Sequence, residues 1–160
     1  MVQTMKQYRV TKYNPDYRDA NGAYQKDEWT EFSDIGKSFN GHILTADEYY
    51  EVEKHYIQMC TDVWEKQGSH HIYVNDIEKH GFSLFIPKTV KDKKPLSRMV
   101  KNILENKLWA RLVGDDFFLH FGYDYYMYIG TVLEPDTMSE LASKYNLYCE
   151  EMISPYLEER

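Results

Sequence analysis

Apolar residues recur at three- and four-residue steps over one long stretch of this chain. Across residues 46–67, Tyr49, Val52, Tyr56, Cys60 and Val63 line up as one stripe, while Glu51, Lys54, Asp62 and Glu65 fall opposite. That spacing predicts an amphipathic helix with one face on a core. Thr45-Ala46-Asp47-Glu48 supplies its start, because the Thr45 hydroxyl can accept an orphan amide bond while Glu48 reaches back. Gly68 supplies its end, since glycine accepts the left-handed backbone that closes a helix.

Elsewhere the period drops to two. Residues 6–13 read as a first strand stopped by Asn14-Pro15-Asp16, residues 71–77 as a second, and residues 82–86 as a third before Pro87. Residues 108–113, 117–123 and 125–133 alternate aromatic and branched side chains and are separated by Gly114-Asp115-Asp116 and Gly122, which predicts an antiparallel meander. Shorter helices are expected over 97–106 and over 137–145, the latter capped by Asp136, with a last short strand through Leu147, Cys149 and Ile153. Asn21-Gly22 and Asn40-Gly41 are hairpin-turn signals inside an otherwise polar, aromatic-spotted segment. This order of elements predicts an α+β fold, a mostly antiparallel sheet packed with one long helix and one or two shorter ones.

Length and composition sharpen that picture. At 160 residues and 42% apolar, the chain is expected to be a single domain, residues 1–160, that buries a core without metals or disulfides. No window approaches the roughly 18 apolar residues of a membrane span, and Met1-Val2-Gln3-Thr4-Met5-Lys6-Gln7 has no leader pattern. Cys60 and Cys149 lie far apart, without CxxC or Cys/His spacing, which fits a reducing cytoplasm and neither a disulfide framework nor a zinc knuckle. No membrane contact and no cofactor are expected.

Charge separates two regions. The net charge of −7 disfavours nucleic acid and anionic lipid and favours a basic partner. Residues 88–111, however, carry Lys88, Lys91, Lys93, Lys94, Arg98, Lys101, Lys107 and Arg111 against Asp92 and Glu105, a local +6 that leaves −13 elsewhere. A solvated connector and helix face explains such a run most simply; an anion contact is the rival explanation.

Motifs for a reaction fail one by one. Gly36-Lys37-Ser38 ends like a phosphate loop, but Glu31 stands where its first glycine belongs. Asp19, Asn21, Gly22 and Glu28 match parts of a calcium loop, yet Tyr17 occupies the first ligand position. Gly81-Phe82-Ser83-Leu84-Phe85 lacks the second glycine of a nucleophile elbow. His70, His71 and His80, with Asp76 and Glu78, make a weak metal set, because adjacent strand residues point to opposite faces.

The tyrosines carry the remaining signal. There are 15 of them, four within the aromatic run Phe117-Phe118-Leu119-His120-Phe121-Gly122-Tyr123-Asp124-Tyr125-Tyr126-Met127-Tyr128-Ile129-Gly130. A central strand covered on both sides accounts for aromatics on both faces. Were one face open, His120, Asp124, Tyr126 and Tyr128 would form a contact patch with a carboxylate in its midst. Lys12-Tyr13-Asn14-Pro15, continuing through Asp27-Glu28-Trp29-Thr30 and Ser33-Asp34-Ile35-Gly36 into the acidic helix, resembles uncharacterised small bacterial cytosolic proteins, some of them similar to toxin-immunity proteins. The resemblance implies an inhibitor that binds its target, and assigns no residue a role. The expected function is therefore an acidic cytosolic module binding a basic protein, with Trp29, Asp124, Tyr126 and Tyr128 as contacts and Glu51 and Glu65 as steering charges. The rival is a small enzyme or ligand-binding regulator with a pocket near His120 and Asp124.

Overall fold

The computed structural model describes residues 5–68, 71–81 and 85–157. The long helix α1 (Ala46–Gln67) forms as its spacing predicts. Thr45 Oγ1 accepts from the Glu48 amide at 3.2 Å, the Glu48 carboxylate accepts from the Thr45 amide at 3.2 Å, and Gly68 closes the helix at φ 87°. Helix α2 (Lys93–Leu104) starts four residues before the expected 97. Pro95 is no obstacle there, because amides of the first turn have no intrahelical acceptor to lose. Helix α3 (Pro135–Lys144) has Glu134 at its N-cap position and Asp136 inside its first turn, which corrects the expected Asp136 cap.

The strands are β1 (Lys6–Thr11), β2 (Ser38–Phe39), β3 (His42–Ile43), β4 (Ile72–Lys79), β5 (Thr89–Val90), β6 (Leu108–Val113), β7 (Phe118–Phe121), β8 (Met127–Thr131) and β9 (Tyr148–Glu151). Seven of them form one antiparallel sheet in the order β5-β4-β6-β7-β8-β1-β9. The meander β6-β7-β8 is its centre, and β1 inserts between β8 and β9. The fold is α+β. Of the strand expected over 82–86, residues 82–84 lie outside the described residues, and Phe85 and Ile86 are not in a strand. Strand β2 pairs with β3 through Asn40 and Gly41, whose φ values of 50° and 82° suit a two-residue hairpin.

Alternation sorts the sheet into two faces. Tyr8, Val10, Leu108, Ala110, Leu112, Leu119, Phe121, Met127 and Ile129 point to the helices and share one core with Tyr56, Met59, Leu96 and Val100. Phe118, His120 and Tyr128 point the other way and are nonetheless buried. Their cover is the C-terminal segment 152–157. Ser154 lies 2.7 Å from His120, Tyr156 packs against Trp109 and Tyr128, and Arg111 Nη1 donates to the Tyr156 carbonyl at 2.9 Å. The central strands are thus covered on both sides, and an open tyrosine face is not present there.

Candidate functional site

Between α2 and β6 the chain turns through residues 105–107, and Leu108 and Trp109 open the strand. That turn faces segment 30–33 and turn 121–125 across a cleft of about 400 Å³. Glu31, Tyr123 and Asp124 are exposed at its rim, whereas Glu105 is buried at its base. Phe32 and Trp109 line it, with Lys107 and His80. Trp109 is fixed by a 2.7 Å bond from its indole nitrogen to the Phe121 carbonyl.

The rim at 124–125 is strained. Asp124 and Tyr125 both sit at φ 66°, a left-handed backbone that costs a non-glycine residue about 1–3 kcal/mol. Two buried tyrosines hold it: Tyr13 Oη donates to the Asp124 carbonyl at 2.6 Å, and Tyr56 Oη donates to the Tyr125 carbonyl at 2.9 Å. The Tyr49 and Tyr125 hydroxyls bond each other. Rings of Trp29 and Tyr56 pack on Tyr125 at centroid distances of 5.1 and 4.9 Å. Such strain persists only where surrounding structure over-determines it, and it tends to mark ligand sites.

Beneath the cleft lies a pair of buried acids. Glu53 of α1 and Glu105 at the end of α2 are 2% and 7% exposed, and both contact Lys101 Nζ, at 2.7 and 2.6 Å. Lys107 adds a 3.4 Å contact to Glu105. Two like charges in one dry site cannot both ionise cheaply. Burial, and then the hydrogen bond with Glu105, push Glu53 up to about 7 against the pull of Lys101 and Tyr49. Burial acts in the same direction on Glu105, but the bond from Glu53 and the charges of Lys101 and Lys107 outweigh it and hold Glu105 below the usual carboxylate range. Of the two acids, Glu53 is the one whose proton is held more tightly.

The residues singled out in the sequence are scattered around this site. Asp124 is at its rim. Trp29 is half-buried below, packed on Tyr49 and Tyr125 with Lys12 Nζ 4.1 Å from its ring centre. His120 does not line the cleft; the histidine that does is His80. His120 is stacked on Phe118 and bound to Ser154 on the other face, and burial followed by the Arg111 charge drives it down to about 4. Tyr128 is buried with it. Tyr126 is half-buried between Arg9 and Arg18, and Arg18 Nη1 donates to its hydroxyl at 3.1 Å. Within the aromatic run 117–130, the tyrosine displayed to solvent is Tyr123, 70% exposed. Glu51 and Glu65 are exposed on α1 but face His55 and Lys93 at 3.2 and 3.3 Å.

Other candidate chemistry resolves into structure. Asp19 Oδ1 accepts from the amides of Asn21 and Ala23, each at 2.9 Å, while Glu28 binds Lys12 and Tyr24, so the calcium-like spacing builds a turn. Among the described residues no cluster of three His, Cys, Asp or Glu side chains suits a metal ion. His70 and Ser83 lie outside those residues. Cys60 and Cys149 are both free thiols. In the basic segment, Lys93, Lys101, Lys107 and Arg111 pair with Glu65, Glu53, Glu105 and Asp76. No helix among the described residues is long and apolar enough to cross a membrane.

No family model, curated protein or solved structure matches this chain. The site must be read from its own chemistry. Glu53 and Glu105 left a trace in the sequence: Tyr49, Glu53, Tyr56 and Cys60 share one helical stripe, so a carboxylate there is directed into the core, and Lys101 stands one turn before Glu105.

Proposed function

We propose that this protein is an acidic binding module that captures a basic protein partner by taking a cationic side chain into the cleft. The observation that carries this reading is the lining itself. Glu31, Glu105 and Asp124 stand against Lys107 as the only ammonium of the lining residues, beside the rings of Phe32, Trp109 and Tyr123. Carboxylates with aromatic faces suit a guanidinium, which forms charge-assisted bonds in its plane and stacks on rings. A preformed, strained rim limits the ordering cost of binding. The overall charge of −7 favours encounter with a basic surface. Four cations of the basic segment are engaged by the chain's own carboxylates, which supports a solvated or structural role for that segment. Masking a basic surface is also how an immunity-type inhibitor would act, as the sequence resemblance implies.

The test is NMR titration of labelled protein with arginine-rich, lysine-rich and acidic peptides at low and high salt. The expected result is binding of basic peptides, weakened by salt, with shifts at Trp109 Nε1 and the amides of Phe32 and Tyr123. Glu31→Gln combined with Asp124→Asn keeps the capping oxygens and the left-handed backbone, and should weaken binding by about tenfold or more. Unchanged affinity in that variant, or preference for acidic peptides, overturns the reading. If N-acetyl-arginine amide binds as tightly as any peptide, the natural ligand is a small guanidine or amine instead of a protein.

A further inference from the structure

Resting on that reading, we propose that cation capture is coupled to proton release: a guanidinium or ammonium entering the cleft beside Glu105 expels the proton held by Glu53. The geometry supports this exchange. Glu105 belongs to both the cleft wall and the buried acid pair, so it is the shared element. Among the described residues Glu53 Oε2 is buried without a hydrogen-bond donor, whereas Glu105 Oε2 meets Lys101 Nζ, so Glu53 is the acid of the pair whose second oxygen has no charge to balance it. Lys101 is held against both acids and over the Tyr50 ring at 4.8 Å, so its single charge is already committed.

The groups facing the pair are few. Tyr49 and Lys101 face Glu53; Lys101 and Lys107 face Glu105; Tyr125 packs beside Tyr49, with Asp124 next to it at the rim. The tyrosine hydroxyls stay neutral, because burial raises Tyr49 and Tyr125 far above their ordinary value. His80 also lines the cleft, so the Glu53 readouts are what separate the buried acid from it; Glu53 is the acid in contact with the cleft wall that burial and the Glu105 bond raise to about 7. One positive charge enters and one leaves as H⁺ to the buffer, so the buried charge is conserved. The released proton comes from the Glu53 carboxyl, which becomes a carboxylate balanced by the new cation.

The experiment is calorimetric titration with N-acetyl-arginine amide from pH 5.5 to 9 in pairs of buffers whose ionisation heats differ, phosphate and MES up to pH 7 and borate and Tris above it. At pH 6 the expected release approaches roughly one proton per ligand, falling toward zero at pH 9. Affinity should rise by up to about tenfold per pH unit below neutrality and level off above it. Glu53→Gln should bind without releasing a proton. Carbon-13 titration of the Glu53 carboxyl in the wild type, with and without the probe, gives a second readout that needs no variant, and the probe should shift its midpoint to lower pH. Binding at the cleft with no proton release, or an unmoved Glu53 midpoint, overturns the coupling alone. No binding at any pH removes the capture reading itself.

Discussion

The two faces of the sheet are buried by different means. On one side, α1 and α2 lay whole stripes of side chains over β4, β6, β7, β8 and β1, and the core is continuous. On the other, segment 152–157 does the covering with a handful of polar bonds: Met152 and Ser154 amides to Gln7, Ser154 to His120, Arg111 to the Tyr156 carbonyl. Burial by helices rests on apolar area, which tolerates small shifts. Burial by a short strap depends on a few directed bonds and on close fit, so it is the face where single atoms matter most.

Truncating the helix-side core should have the largest effect. Leu119→Ala in β7 is expected to cost about 2–5 kcal/mol, read by denaturant unfolding, because its site is enclosed on every side. A loss below about 1 kcal/mol would mean that the helix face is loosely packed. On the strap side, Gly130→Ala should cost about 1–3 kcal/mol, since its new methyl would overlap the Phe118 ring, which lies flat over this glycine. Equal stability would show that Phe118 can swing away and that the strap yields.

Two pH experiments probe opposite signs. His120 sits near 4, below its unfolded value of 6.5, so its contribution is complete above pH 6.5 and is lost as pH falls toward 4. His120→Gln, which keeps an acceptor for Ser154, should flatten that part of the acid transition. Glu53 is raised from 4.5 to about 7, so its contribution is present below pH 4.5 and is lost as pH rises through 7. Glu53→Gln should therefore gain on the wild type by roughly 1–3 kcal/mol between pH 5 and pH 8. A gain at the lower pH would place the proton elsewhere. The smallest effect belongs to the rim: Tyr123→Ala should change stability by less than about 0.5 kcal/mol while weakening basic-peptide binding.

Much of the helix side was legible from spacing. The stripe of α1 and the alternation of β6 to β8 follow from periods of 3.6 and 2, which are properties of neighbouring residues. The strap was not, because Ser154 and Tyr156 have no periodicity; they matter only by lying against His120, Trp109 and Tyr128, and 34 residues separate Ser154 from His120. For the same reason an exposed Tyr126–Tyr128 patch was a fair expectation that the fold does not meet. At the site, Asp124 was legible as a carboxylate in an aromatic run. Glu105 was hidden in a basic segment, and its meaning depends on Glu53, 52 positions away.

By itself the sequence determined the α+β class, the capped long helix, the meander and an acidic surface balance, since each is encoded by local pattern or by composition. Tertiary structure alone decided which tyrosines face solvent, that β1 lies between β8 and β9, that Asp124 and Tyr125 are strained into a rim, and that two buried glutamates share Lys101. Those features arise from proximity between distant segments, and proton affinities are set by the dielectric and charges around a group, which no window along the chain contains.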